Sequence, residues 1–174
     1  MILLDKRQIA YTKRNALTKK EVQIKSEAII ARLEPYLEGM VGIYMAYGNE
    51  VDLTSLLKYP GITCCVPVCS ANHQMSFYLV DETTTFTKSH YGILEPVNAK
   101  QIDKNEIDKI IVPMVAFDEQ KNRMGHGKGY YDRYLKEYQG MKIGVAFECQ
   151  KFSQLDVYPH DIPMDMIMSE DAQY

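Results

Sequence analysis

The chain has 174 residues, a formal net charge of −3, 46% hydrophobic and 25% charged residues. That length suits one domain spanning 1–174, able to bury roughly 70% of its unfolded surface. The mild acidity excludes a surface built to coat nucleic acid. No apolar run reaches the roughly 18 residues of a membrane span, and the start MILLDKRQIAYTKR lacks a secretory core, so a cytoplasmic protein is expected.

The first 38 residues read as helical. Thr18 followed by Glu21 forms a capping box, Val22, Ile29 and Leu33 share one helical face, and Pro35 and Gly39 mark its end. MVGIYMAY (40–47) is expected as a strand and VDLTSLLKY (51–59) as a short helix. ITCCVPVC (62–69) and MSFYLV (75–80) follow as strands, and IDKIIVPMVAFD (107–118) contains a buried one. YYDRYLKEY (130–138) reads as a helix and KIGVAF (142–147) as a last strand. Continuous apolar strands alternating with helices predict a largely parallel sheet between helical layers, with ligands at the carboxyl ends of strands. Cysteines 64, 65, 69 and 149 lack the paired spacing of a zinc site and are expected as reduced core thiols.

NRMGHGKGYYDRYL (122–135) matches neither the P-loop nor the dinucleotide fingerprint. Glycines 125, 127 and 129 clear side chains from the backbone and permit positive φ, so their amides can form an anion nest. A helix starting near Tyr130 adds its positive end, and Arg123, Lys128 and His126 add cationic groups. These features describe a phosphate cradle. Asp132 has two readings: a ligand for a magnesium ion shared with the phosphates, or a first-turn acid paired with Lys136. Tyr130, Tyr134 and Tyr138 lie four apart, as on a packed face, while Tyr130 or Tyr131 also suits contact with a flat heterocycle.

The loop RMGHGKGYYDRYL resembles the signature of the 5-formyltetrahydrofolate cyclo-ligase family, also called methenyltetrahydrofolate synthetases. IVPMVAFD, GNEVDLTSLL, IGVAFECQ and HDIPMDMIMSE resemble further segments of that family in the same order. The resemblance implies a three-layer α/β sandwich of the sugar-phosphate isomerase and CoA-transferase type. It also implies an ATP- and magnesium-dependent ligase of one-carbon metabolism that closes 5-formyltetrahydrofolate, with or without a polyglutamate tail, to 5,10-methenyltetrahydrofolate. The formyl oxygen is phosphorylated, a neighbouring ring-system nitrogen attacks the activated carbon, and phosphate departs. Such chemistry needs positioning and charge neutralisation rather than a nucleophilic side chain.

Position by position, the resemblance makes Arg123 and Lys128 the catalytic cations. Lys6, Arg7, Arg123, Met124 and the run Gly125, His126, Gly127, Lys128, Gly129, Tyr130 and Tyr131 become nucleotide contacts. Met45, Glu50, His126, Tyr130 and Tyr131 become substrate contacts, with Glu50 gripping the pterin edge, since a carboxylate accepts two parallel N–H bonds. Asp132 and Asp161 become magnesium ligands. From the residues alone, Glu50 also reads as a solvated loop acid, Asp161 as turn chemistry before Pro163, and Met45 as core.

Two positions depart from the family pattern. Leu3 stands where an ATP-contacting lysine is usual, with Lys6 as a substitute, and His126 stands where arginine or an aromatic is common. A neutral imidazole compensates phosphate charge less than a guanidinium does. The rival readings are a phosphosugar- or acyl-CoA-handling enzyme on a similar scaffold and a non-catalytic nucleotide or folate module. No oligomeric state is legible.

Overall fold

The capping box starts a helix as its chemistry requires. The Glu21 amide donates to the Thr18 hydroxyl at 3.2 Å, and the Thr18 amide donates to the Glu21 carboxylate at 2.7 Å. This helix is α2 (Lys19–Leu33) in the computed structural model, which describes residues 5–174. Ile29 and Leu33 are fully buried and Val22 partly so. Ser26 shares that face and accepts the Asp52 amide at 3.0 Å. Helix α1 (Lys6–Asn15) precedes α2, and Asp5 caps it. Leu3 lies outside the described residues.

Seven strands form the main sheet: β1 (Gly39–Gly42), β2 (Ile62–Cys69), β3 (Met75–Val80), β6 (Gln101–Ile102), β7 (Lys109–Pro113), β10 (Met141–Val145) and β11 (Met166–Met168). Their order is β11-β10-β7-β1-β2-β3-β6. The first five in that order are parallel, whereas β3 and β6 run antiparallel at one edge. Strands β4 (Thr85–Lys88) and β5 (Leu94–Val97) make a separate hairpin, as do β8 (Ala116–Phe117) and β9 (Arg123–Met124).

Because side chains alternate across a strand, the sheet sorts them into two cores. Ile111 of β7 joins Ile29, Leu33 and Val41 on the α2 side. Its neighbours Ile110 and Val112 join Phe77, Leu135 and Ile167 on the side of α3 (Tyr130–Leu135). This is the expected three-layer α/β arrangement with a largely parallel sheet. Truncating a fully buried member such as Leu33 to alanine costs about 2–5 kcal/mol.

Several expectations need correction. The 40–47 strand stops at Gly42, the last residue paired with either neighbour, β2 or β7. Ile43 adds one bond to Cys65 before the chain turns into a loop. The 51–59 segment is a 3₁₀ turn at Thr54–Lys58, and α3 ends at Leu135 rather than residue 138. Tyr138 is nonetheless buried, with its hydroxyl donating to the Ile107 carbonyl at 2.9 Å. Cys64 and Cys65 are buried, and burial pushes their thiols up to about 11 and about 12. Cys69 is exposed and Cys149 half-buried, so they are not core thiols. Cys69 ends β2, beyond the reach of the covering layer.

Two family-like motifs serve the scaffold. Asp118 is fully buried, and its carboxylate accepts the amides of Gln120, Asn122 and Leu155 and the Asn122 side chain. Gln150 is equally buried, donates to the carbonyls of Met114 and Val115, and accepts the Phe147 amide. These bonds fix the hairpin from which the glycine loop departs.

Candidate active site

Parallel β1, β7 and β10 open their carboxyl ends along one edge of the sheet, where ligands gather in folds of this kind. The loop holding Glu50 follows β1. The glycine loop follows β7 by way of the β8–β9 hairpin, and the segment holding Asp161 lies between β10 and β11.

Within the glycine loop, Gly127 and Gly129 have φ of +93° and +69°, conformations that favour glycine. Gly125 is different: its φ is not positive, and a Cβ there would fall 2.9 Å from Arg123 Nη1. Its smallness makes room for a guanidinium. Arg123 donates to the Pro113 carbonyl at 3.4 Å, pairs with Asp132 at 3.4 Å and lies over the Tyr131 ring at 5.5 Å. Its side chain is only 5% exposed, yet its Nε has no partner among the described residues. A buried N–H left unpaired costs about 1–3 kcal/mol, and a phosphate oxygen would satisfy it. Helix α3 is six residues long, so its dipole adds little, and the loop amides and cations carry the positive field.

Helix α1 supplies the opposite wall. Arg7, Tyr11 and Arg14 are four and three residues apart and so lie on one helical face. Arg7 Nε donates to the Gly125 carbonyl at 3.0 Å, and its guanidinium lies close to Gly127. Tyr11 stacks on His126 at 5.8 Å and shares a hydrogen bond with its Nδ1. His126 Nε2 reaches Glu50 Oε1 at 3.3 Å, while the Tyr47 amide donates to Glu50 Oε2 at 2.8 Å. The Glu50 side chain is 11% exposed, which excludes a solvated loop acid.

The other expected site residues divide by position. Lys128 Nζ stands over the exposed Tyr91 ring at 4.4 Å. Tyr130 faces His73 at 5.7 Å, and burial pushes the Tyr131 hydroxyl far above its ordinary value. Met45 and Met124 pack in hydrophobic clusters, Met124 beneath α1. Lys6 turns to Asp156 at 3.3 Å. Asp132 pairs with Arg123 rather than Lys136 and accepts the Ile162 amide at 3.1 Å, which brings it beside the Asp161 backbone. Asp161 itself accepts the Tyr158 amide at 2.8 Å, closing its own turn.

Among the described residues no group of three or more His, Cys, Asp or Glu forms a metal cage. The largely buried Asp132 carboxylate, with the Asp161 backbone beside it, fits a magnesium ion that arrives on phosphates and keeps several waters. Sequence reasoning missed Tyr11, Arg14 and Asn49. The spacing from Arg7 marks the first two, whereas nothing local marks Asn49, whose side chain donates to the carbonyls of Arg14 and Leu17 at 3.2 and 2.9 Å.

The structure is thus an α/β protein whose largely parallel sheet carries a glycine-rich loop at its carboxyl edge, facing the shielded carboxylate of Glu50. Residues 5–170 match the model of the 5-formyltetrahydrofolate cyclo-ligase family, and the chain belongs to that family. It is similar to the 5,10-methenyltetrahydrofolate synthetase structure from Aquifex aeolicus, with 34% identity, a TM-score of 0.85 and coverage of 97% of this chain and 89% of that one. The Mycoplasma pneumoniae 5,10-methenyltetrahydrofolate synthetase structure gives 26% identity, a TM-score of 0.77 and coverage of 96% and 99%. A probable 5-formyltetrahydrofolate cyclo-ligase of Schizosaccharomyces pombe is 37% identical over 116 residues, 58% of this chain and 54% of that protein. No helix among the described residues is long and apolar enough to cross a membrane.

Proposed function

We propose that this enzyme closes 5-formyltetrahydrofolate to 5,10-methenyltetrahydrofolate at the expense of ATP, releasing ADP and phosphate. One observation carries the reading: His126, inside the phosphate cradle, lies 3.3 Å from Glu50. The cradle and the pterin-accepting carboxylate therefore adjoin, as a transfer from the γ-phosphate to a formyl oxygen requires.

Glu50 accepts N–H groups of the pterin edge and fixes the heterocycle. Arg7, Arg123 and the amides from Gly125 to Gly129 hold the phosphates, with Arg123 Nε gaining the partner it lacks. Lys128 leaves Tyr91 to neutralise charge spreading over the transferring phosphoryl oxygens. Asp132, with Asp161 beside it, would hold magnesium, which offsets phosphate charge when bound. Tyr130 and Tyr131 flank the heterocycle, and Met45 lines the floor of the pocket. Lys6, paired with Asp156, would contact nucleotide only by exchanging that partner. Buried Tyr131 stays a neutral phenol and takes no proton.

The test mixes purified protein with 5-formyltetrahydrofolate, ATP and magnesium and follows methenyltetrahydrofolate absorbance. An ATP-dependent rise is expected. No rise with folate of proven quality would favour the phosphosugar or acyl-CoA reading, whose chemistry has no use for Glu50. Saturable binding without ADP release would favour a binding module.

A further inference from the structure

Arg14 is a buried cation that the reaction above does not use. It is 6% exposed, its Nε has no hydrogen-bond partner, and it forms no ion pair among the described residues. Its guanidinium lies 5.5 Å from the centre of the Tyr11 ring. An uncompensated charge in such a place is costly, so a nearby counter-charge would stabilise it.

The contacts around it close into a ring. Arg14 lies on Tyr11, Tyr11 bonds His126, and His126 reaches Glu50. Asn49, next to Glu50 in the chain, returns to the Arg14 carbonyl at 3.2 Å. Tyr44 is buried, with its hydroxyl donating to the Val51 carbonyl at 2.7 Å. Burial pushes the Tyr44 hydroxyl well above its ordinary value, Glu50 pushes it further and Arg14 opposes. Tyr11 is also held up chiefly by burial, with Arg14 and Arg7 lowering it and Glu50 raising it. Both hydroxyls therefore lie within the influence of Arg14 and of Glu50.

We infer that Arg14 is the counter-charge that holds the Glu50 carboxylate in place, which makes it a positioning residue for the folate's pterin rather than a phosphate ligand. The pairing is a statement about the protein alone, and its consequence for folate rests on the function proposed above. An oriented carboxylate binds the pterin edge by charge-assisted bonds, and Arg14 supports that orientation without touching substrate.

The test is a double-mutant cycle on the full chain, read first by thermal melting without substrate. Glu50→Gln is expected to lower Tm because Arg14 loses its counter-charge. Adding Arg14→Met is expected to recover part of that loss, so the double variant is more stable than the two single losses sum to. Strictly additive losses overturn the pairing.

Kinetics then read the consequence. Arg14→Met is expected to raise KM for 5-formyltetrahydrofolate about tenfold, the scale of one charge-assisted bond. Turnover and KM for ATP should move less than about threefold. Arg14→Lys should restore most of the folate KM, and in the Glu50→Gln background Arg14→Met should add nothing. Equal effects in both backgrounds, or parallel losses in turnover and both KM values, overturn the positioning role. Non-additive melting in a protein without cyclisation activity would sink the functional reading and leave the charge pairing standing.

Discussion

Arg123 and Asp132 meet at 3.4 Å with their side chains 5% and 18% exposed. One guanidinium edge is thus committed to a carboxylate, while its Nε stays unpaired and buried. The pair sets a cation and an anion at the same end of the glycine loop, the arrangement that a phosphate carrying a divalent ion needs.

Replacing Asp132 with Asn keeps an acceptor for the Ile162 amide and removes the charge. The loss of a largely buried pair costs roughly 3 kcal/mol, short of the 5–15 kcal/mol that holds a domain folded. The protein is expected to stay folded and to need about tenfold more magnesium for half-maximal activity. A magnesium titration superimposable on that of the parent would remove Asp132 from the metal role.

Lys128 stands over Tyr91 and is exposed, so nothing in the core depends on it. Lys128→Ala is expected to leave Tm unchanged and to lower kcat roughly a hundredfold, as removal of one transition-state donor does. Direct binding of folate should weaken far less. Equal losses in turnover and folate binding would contradict a role in phosphoryl transfer.

A methyl group at residue 125 would fall 2.9 Å from Arg123 Nη1, and the backbone there needs no positive φ. The strain in Gly125→Ala therefore falls on the guanidinium and not on the loop. KM for ATP is expected to rise at least about tenfold while stability changes by less than about 1 kcal/mol. A variant with normal ATP kinetics would show that Arg123 need not sit where it does.

Acid stability is expected to involve Glu148. Burial alone pushes its carboxyl up, but hydrogen bonds from Ser169, Tyr174 and Lys151 outweigh burial and hold it below the ordinary value of 4.5. As pH falls below 4.5, the unfolded chain takes up this proton first, so stability rises with pH across that window. The contribution is present above about 4.5 and is lost as pH falls through the lowered folded value. Melting curves at stepped pH should show Glu148→Gln with a shallower decline below pH 4.5. An unchanged slope would refute the assignment.

Local sequence determined whatever depends on neighbours along the chain. Thr18 and Glu21 fixed the start of α2, continuous apolar runs set the bounds of β2 and β3, and the spacing of three glycines marked the loop after β9. Asp118 and Gln150 were visible as family motifs, but their buried bonding to hairpin and loop was not. Only the tertiary structure set His126 against Glu50, 76 positions away, or closed the ring from Arg14 through Tyr11 and Asn49. It alone turned β3 antiparallel and paired Asp132 with Arg123 instead of Lys136. The physical reason is that periodicity records which face of an element is buried, while the partner across that face is chosen by how separate elements pack and where unpaired charge finds its complement.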